Sequence, residues 1–556
     1  MMKFEELANE IILELFELLD TVTLIHAFSG LNFRLNQLIF SRIRTYHLDL
    51  RSISKNDFNL ICYQYLPTII DRITLLRISH DDETPYILYG TYLHVFHIRQ
   101  FNHLQSLSLY SIEEASTIDQ IILELHQLPY LTHLNIIQCN LERKCDRKIV
   151  ALNEIWSLKK VTHCNFDHCH GLSIQLAQIS VISQTIEYLS IDTSDHFRNL
   201  TQLIHYTPNL QRFNWNLIYS SSNQPPLITM SSIVSLKLRY NGTNDWLKNI
   251  LQHMPNLYDL KLDLINIYLN GYEWENLFVL NLPNIKIFQF RMHLKFSKIN
   301  LEQQINEILN SFQSSFWLEE HQWFVRCEWN SSNSGIIYTL PYAFNYMFYL
   351  NQHSSKSTCR NEQDYWSYNN IRKFEYINSN NMFINDFDNF PIRLTNLHEL
   401  DIALPIGNYF WSIISSWNQL ISLNISINGN ENNVYFQLQK FLDQTPHLYS
   451  LKFSNWNDLN MILFQKLKSK SIRRLHFTEL RITCRQYFER NECSALINSA
   501  LGKQCEVLII PIANEILAVD IAENMIKLRS LIIKCQGNRS SRFKFSSRND
   551  LFVQWK

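Results

Sequence analysis

Residues 131–141 read Leu-Thr-His-Leu-Asn-Ile-Ile-Gln-Cys-Asn-Leu. Leu131, Leu134 and Ile136 are apolar, and His133 and Asn135 stand between them. Alternation of this kind puts every second side chain on one face of a short strand and the polar ones on the other. The same apolar-x-x-apolar-x-apolar pattern returns along the chain. In a first block it starts at Leu104, Leu131, Val161, Ile186, Leu210, Ile233, Leu257 and Ile285. A second block has starts at Ile371, Leu397, Leu420, Leu448, Ile472, Cys505 and Leu528, and weaker starts stand at Ile73 and Leu93. Successive starts within a block lie 23 to 33 residues apart. Connections of that length are too long for hairpins and suit parallel strands with a return segment between them.

Several return segments carry helical signals. Leu247, Ile250, Leu251 and Met254 share a helical face that Asp245 can cap, and Phe436, Leu438, Phe441 and Leu442 cluster on one side of 434–443. Pro129, Pro208, Pro255, Pro283 and Pro446 each stand two residues before the next start, where they block continuation of a helix. One such unit cannot bury its own apolar face, and stacking on its neighbours does so. The expected fold is α/β: a right-handed solenoid with a curved parallel sheet and helices outside. The pattern resembles leucine-rich repeats. Residues 131–141 fill every position of that consensus, with Cys139 in its Asn/Cys slot, and Cys169, Asn241 and Asn428 hold the same slot elsewhere. Trp456, Pro405 and Ile218 depart from it.

Between the blocks, Trp323, Val325, Cys327 and Trp329 alternate before the polar stretch 330–335, and Ile336, Tyr338 and Leu340 follow. This reads as a β-hairpin. It leaves open whether 295–368 is an embellished pair of repeats or an insertion. The expected organisation is a helical domain over 1–43, repeats over 44–294, an irregular segment over 295–368, and repeats over 369–556.

Composition narrows the function. The chain has 556 residues but only 10 glycines, and the closest pair, Gly407 and Gly429, are 22 apart. Dinucleotide fingerprints, phosphate-cradling P-loops and Gly-x-Ser-x-Gly elbows all need close glycines and are excluded. A net charge of −1 offers no broad field for nucleic acid or an anionic membrane. Glutamates interrupt the apolar runs of the first twenty residues, so no secretory leader is expected there, and no apolar run is long enough to span a bilayer. The odd count of 11 cysteines, without paired spacing, then points to reduced thiols in the cytoplasm or nucleus.

Residues 4–39 follow a different rule. Leu7, Ile11, Leu15, Leu18 and Leu19 share a helical face that Ile12 and Phe16 widen, which is too broad for a lone surface helix. Asp20 and Thr21 break this helix, Thr23 can cap a second with Leu24, Ala27 and Phe28, and a third apolar set holds Leu31, Leu35, Leu38 and Ile39. The segment resembles an F-box. The motif Leu-Pro-x-Glu-Ile followed by Ile/Leu-Phe-x-x-Leu maps without a gap onto Leu7, Ala8, Asn9, Glu10 and Ile11, then Leu15, Phe16 and Leu19. Ala8 stands where the motif has proline, and Asn32-Phe33 where its third helix often has tryptophan. An F-box before leucine-rich repeats is itself a family architecture. The alternative is a helical cap on the apolar edge of the first repeat.

The resemblance implies a non-catalytic substrate receptor of a Skp–cullin–F-box ubiquitin ligase, in which the box docks on a Skp-type adaptor and the solenoid holds a target protein. Leu7, Ala8, Glu10, Ile11, Phe16, Leu19, Leu24 and Phe28 would form or support the adaptor surface. The alternative function is a scaffold or inhibitor without a ligase role. Target binding is expected at the polar positions within the strands, which line up across repeats on the concave face. These are His133, Asn135, His163, Asn165, Arg212, Asn214, Lys237, Asp259 and Lys261, then Lys373, Glu375, Glu399, Asp401, Lys452, Arg474 and His476. Their mixed charge favours protein over nucleic acid, since a phosphate backbone calls for one sign throughout.

Two clusters invite chemistry. His163-Cys164-Asn165-Phe166-Asp167-His168-Cys169-His170 gathers five zinc-type ligands. The repeat register, however, turns Cys164 and Cys169 inward and His163 outward. Glu319-Glu320-His321 lacks a nucleophile or metal set at a recognisable distance. No catalytic residue, metal or cofactor is therefore expected.

Overall fold

The computed structural model describes residues 4–43, 45–80, 97–142, 151–192, 200–217, 228–297, 299–330, 333–350, 353–360, 368–377, 393–407, 410–427, 432–455, 461–477, 487–535, 540–545 and 551–555. The chain forms two compact units. One comprises Met1–Leu269 with Glu273–Phe288, and the other Asn270–Tyr272 with Gln289–Lys556.

In the first unit, nine strands lie side by side in chain order: β1 (Tyr46–Asp49), β2 (Ile73–Ser79), β3 (Ser106–Tyr110), β4 (His133–Ile137), β5 (His163–Asp167), β6 (Tyr188–Asp192), β7 (Arg212–Leu217), β8 (Ser235–Asn241) and β9 (Asp259–Ile265). Every neighbouring pair is parallel, as the repeat spacing requires. The weak start at Ile73 is a strand, one more precedes it, and the start at Leu93 lies outside the described residues.

The inward residues of the strands pack against helices of the return segments between them. Trp156 stacks on Phe166 at 6.2 Å, and Trp246 packs on Trp215 at 6.0 Å and on Tyr240 at 4.5 Å. Trp246 opens the helix Asn244–Gln252, whose amide end is capped by the Thr243 hydroxyl rather than by Asp245, which falls inside the first turn. Polar residues at the turns tie consecutive repeats together. Asn209, Asn256 and Asn284 each directly follow one of the proline residues, and their side-chain amides donate to the carbonyls of Gln184 (2.8 Å), Ser231 (2.8 Å) and Pro255 (3.4 Å) in the preceding repeat. The same job falls to the slot thiols: Cys139 donates to Leu109 O, and Cys169 to Ile136 O at 3.1 Å. Asn241 departs from this pattern. β8 keeps its alternation two residues longer, burying Tyr240 and turning Asn241 partly outward.

In the second unit the parallel rule is broken twice, at its start and at its end. The strands β10 (Ile287–Lys295), β12 (Ser334–Thr339), β11 (Val325–Asn330) and β14 (His353–Ser357) neighbour one another in that order, all antiparallel. β11 and β12 are the expected hairpin, with Cys327 opposite Ile337 and Trp329 opposite Gly335. Gly335 is required, because a Cβ there would stand 2.7 Å from the Glu328 carbonyl and closer still to Phe296. β13 (Tyr346–Leu350) leaves this group and opens a second sheet. That sheet continues in order through β15 (Lys373–Ile377), β16 (Glu399–Leu404), β17 (Ser422–Ile427), β18 (Ser450–Asn455), β19 (Arg474–Phe477), β20 (Val507–Ile512) and β21 (Ser530–Cys535), all parallel. The antiparallel β22 (Ser540–Phe545) and β23 (Leu551–Trp555) end it. The segment between the repeat blocks is thus an antiparallel closure followed by a fresh start. The described elements form an α/β leucine-rich-repeat solenoid. On the helix Asn432–Gln444, Val434, Leu438, Phe441 and Leu442 face the core, while Phe436 is 72% exposed, against the expectation that it would join them.

A buried polar network sits at this closure. Arg326 donates to the Tyr368 hydroxyl at 2.7 Å, the Tyr338 and Tyr368 hydroxyls are 2.7 Å apart, and Tyr338 donates to Glu328. Nearby, Arg291 donates to the Tyr342 hydroxyl and the Tyr346 carbonyl, both at 2.8 Å. Burial raises the Glu328 carboxyl above its ordinary range, opposed by the Tyr338 hydroxyl and the Arg326 charge.

Candidate interaction surfaces

The N-terminal helices are α1 (Asn9–Glu17), α2 (Thr21–Phe28) and α3 (Phe33–Gln37). Asp20, not Thr23, caps α2, accepting from the Thr23 amide at 3.0 Å. Arg34 clamps the approach to α1: its guanidinium donates to the Leu7 carbonyl at 2.6 Å and to the Asn9 side chain at 2.8 Å. Ala8 lies between these contacts at φ −62° and ψ 151°, angles that a proline would also adopt, so losing the proline leaves the backbone path intact.

The broad apolar surface of α1 divides in two. Ile12 and Phe16 point inward, where Phe16 packs on Phe28 at 5.0 Å and is 1% exposed. Ile11, Leu15 and Leu18, spaced i, i+4, i+7, form an outward stripe, with Leu18 80% exposed. Phe33, 82% exposed, and Leu31 add to the exposed apolar surface of these helices. Exposed apolar side chains gathered into a contiguous patch commonly mark a docking site, and the Ile11, Leu15 and Leu18 stripe is the candidate here. Among the eight anticipated adaptor residues, Ala8, Glu10 and Ile11 are exposed, and Leu7, Leu19 and Phe28 half-buried. Phe16 and Leu24 belong to the core and support the surface from within. Leu18, Leu31 and Phe33 are exposed apolar residues that the anticipated set left out, although the i, i+4, i+7 spacing from Ile11 already marks Leu18.

The same helices also cover the start of the sheet. Thr21 donates to the His47 carbonyl at 2.7 Å, Ser29 to the Tyr65 hydroxyl at 2.8 Å, and Phe40 stacks on Tyr65 at 5.5 Å.

The second surface is the open face of each sheet. Strand register places the anticipated residues in continuous rows. One row runs Ser106, His133, His163, Tyr188, Arg212, Ser235 and Asp259, and the next Ser108, Asn135, Asn165, Ser190, Asn214, Lys237 and Lys261. None of the anticipated positions is fully buried. Side chains along the rows bond across strands: Asn135 to Ser108 at 3.0 Å, Asn214 to Ser190 at 2.9 Å, and Asn216 to Asp192 at 2.8 Å.

In the second unit the open face is split by charge. β15 and β16 carry Glu375, Glu399 and Asp401 around Lys373, whose ammonium lies 3.2 Å from Glu399 and 3.8 Å from Asp401. Partial burial disfavours the Lys373 charge, but the carboxylates of Asp401 and Glu399 outweigh it and hold its pKa above the usual value. Burial, with Glu375 and Glu399 nearby, raises Asp401 despite Lys373. β17 presents Ser422, Asn424 and Ser426 and separates this patch from Lys452, Arg474 and His476 on β18 and β19. Burial first, then Lys452, Arg474 and Lys534, pushes His476 down to about 4.

The clusters that invited chemistry are resolved differently. Cys164 and Cys169 are buried, and desolvation pushes both thiols up to about 12, which removes them as ready zinc ligands. His168 instead turns outward at φ 49°, its ring nitrogens 3.9 Å from Asp167 and 3.5 Å from Asp192. Glu319 and Glu320 are exposed, while His321 stacks on Trp323 at 4.1 Å as part of an aromatic cluster with Phe316 and Trp317.

No protein-family model matches the chain, and no curated protein matches it. Among the solved structures that resemble the chain is a crystal structure of a TLR13–ssRNA13 complex, at 12% identity and a TM-score of 0.25 over 82% of this chain and 76% of that one. The solenoid is established by this chain's own strand order and register.

Proposed function

We propose that this chain is a non-catalytic substrate receptor of a Skp–cullin–F-box ubiquitin ligase. The helical set at the N-terminus docks on a Skp-type adaptor, and the open face of the repeats holds a target protein for ubiquitin transfer by the ligase's other subunits. The observation that carries this reading is the exposed stripe Ile11, Leu15 and Leu18 on the very helix whose Leu7–Leu19 order matches the box motif. A cap alone needs apolar residues facing the repeats and gains nothing from a second apolar face in water. No active-site constellation is proposed, and the protein acts in the cytoplasm or nucleus. Among the described residues, no helix is long and apolar enough to cross a membrane.

A second reading, a scaffold or inhibitor with a helical cap, draws support from the Thr21–His47 and Ser29–Tyr65 hydrogen bonds. Because of those contacts, deletion of 1–43 destabilises the first repeats under either reading and does not separate them. Substitution of Ile11 and Leu15 does. Ile11→Asp/Leu15→Asp abolishes adaptor binding under the first reading while the repeats keep their melting temperature. Wild-type protein that fails to bind an adaptor, under conditions where an established F-box binds, leaves the scaffold reading.

A further inference from the structure

Register lines up the open face of the second sheet as it does the first. One row runs Lys373, Glu399, Ser422, Ser450 and Arg474, and the next Glu375, Asp401, Asn424, Lys452 and His476. On the β15–β16 side the carboxylates of Glu375, Glu399 and Asp401 all act on the one ammonium of Lys373. The Tyr346 hydroxyl donates to Glu375 at 2.5 Å and holds that carboxylate in place. On the β18–β19 side the charges acting on His476 are Lys452, Arg474 and Lys534, all positive. Between the two sides β17 offers Ser422, Asn424 and Ser426, which are half-buried, short and uncharged. Asn424 is tied on both flanks, accepting from Ser454 at 2.5 Å and bonding to Asp401. Longer charged side chains thus flank a strand of short neutral ones. The result is a shallow trough along β17, acidic on one wall and basic on the other.

We propose that this trough seats a helix of the target protein that carries lysine or arginine along one flank and aspartate or glutamate along the other. The inference rests on the reading of the open face as the target-binding surface and is independent of the adaptor. β16 and β18 stand two strand spacings apart, about 9–10 Å, and a helix with its side chains is about 10–12 Å across. A helix laid over β17 therefore reaches both walls at once. Its cationic flank meets the surplus of carboxylates, and its anionic flank meets Lys452 and Arg474. A partner of a single sign gains on one wall and is repelled at the other, which disfavours nucleic acid and uniformly acidic or basic tails. Walls already held by hydrogen bonds lose little freedom on binding. Turning the helix end for end exchanges its flanks, so the charge split also sets the direction in which it lies.

The test uses the full chain and three fluorescent, alanine-based helical peptides of about 20 residues. One carries lysine on one flank and glutamate on the opposite flank, one lysine on both, and one glutamate on both. Fluorescence anisotropy should show the charge-split peptide binding at least about tenfold tighter than either of the others. Its binding should weaken as sodium chloride rises from about 50 to about 300 mM. Glu375→Lys/Glu399→Lys makes both walls positive and should switch the preference to the all-glutamate peptide. Lys452→Glu/Arg474→Glu should switch it to the all-lysine peptide. Each variant must gain a partner, which misfolding does not supply; circular dichroism identifies a variant that fails to fold, and the other then carries the test. Equal binding or no binding of the three peptides by wild type, or variants that keep the wild-type preference, overturns the proposal. A dimer in light scattering that either variant dissociates makes the face an interface between copies of this chain and overturns it as well. Adaptor binding, measured on the same proteins, should not change, so failure of the trough and failure of the receptor reading are told apart.

Discussion

Replacing Arg326 with methionine removes the positive end of the buried network at the antiparallel closure while keeping most of the side chain's apolar length. Glu328 is 1% exposed and would remain buried with the Tyr338 hydroxyl but without the guanidinium charge. Arg326 is the nearby charge that favours the Glu328 carboxylate, and removing the charge that balances a buried one costs up to about 3–5 kcal/mol, because the survivor must be left charged and unbalanced or take up a proton. Tyr368 loses its bond from Arg326 but keeps the Tyr338 hydroxyl at 2.7 Å, so the loss falls mainly on Glu328. A cooperative unit of about 270 residues shifts its melting temperature by about 1.8 °C per kcal/mol, which gives a fall of about 5–9 °C. The partner experiment is Arg326→Met/Glu328→Leu, which removes both charges and should recover to within about 1 kcal/mol of wild type. Calorimetry would follow the transition of the second unit, and hydrogen exchange over 325–339 would report locally. A single substitution costing under 1 kcal/mol, or a double substitution worse than the single, would refute the claim that these two charges act together in the closure network.

Three further outcomes follow from the same coordinates. Leu18→Asp should leave folding within about 0.5 kcal/mol of wild type, because the side chain is 80% exposed, whereas Phe16→Ala should cost about 3–5 kcal/mol; hydrogen exchange over 9–28 separates the two. The folded chain holds His476 near 4 against 6.5, so the unfolded chain binds a proton that the folded one refuses. Stability should therefore fall as pH drops from about 6.5 to about 4, by on the order of 2 kcal/mol for this group, and denaturant unfolding of His476→Gln should show a shallower loss over that window. Iodoacetamide at pH 8 should modify the half-buried Cys359 and Cys535 at least tenfold faster than Cys139, Cys164 and Cys169, a difference that vanishes on unfolding; peptide mass analysis reads it directly.

The strands were legible because their signal is local. Leu131, Leu134, Ile136 and Cys139 declare their inward direction by spacing alone, and all four are buried. The hairpin at Val325–Thr339 was legible for the same reason. Features set by distant partners were not. Whether Phe16 or Ile11 faces water depends on Phe28 and the start of the sheet, not on the periodicity of α1. The choice of Thr243 over Asp245 as cap turns on one residue of register, and the exposure of Phe436 on how its helix sits on the repeat. The change of sheet at β13 accompanies a network joining Arg326, Glu328, Tyr338 and Tyr368, up to 42 residues apart in the chain. Of the open face, the rows were legible from the repeat, but the pairing of His133 with His163 needed the register.

The central claim is that the N-terminal helices present a docking surface as well as covering the repeats. Its most direct measurement is the dissociation constant of the full chain for a purified Skp-type adaptor, compared with that of Ile11→Asp/Leu15→Asp. The substitution keeps Phe16 and Leu24 in place, so the fold of the helical set is preserved. Burial of a leucine or isoleucine side chain is worth about 1.5–3 kcal/mol, and two such losses predict at least a hundredfold weaker binding at an unchanged melting temperature. Equal binding by the two proteins, or no binding by wild type, would contradict it.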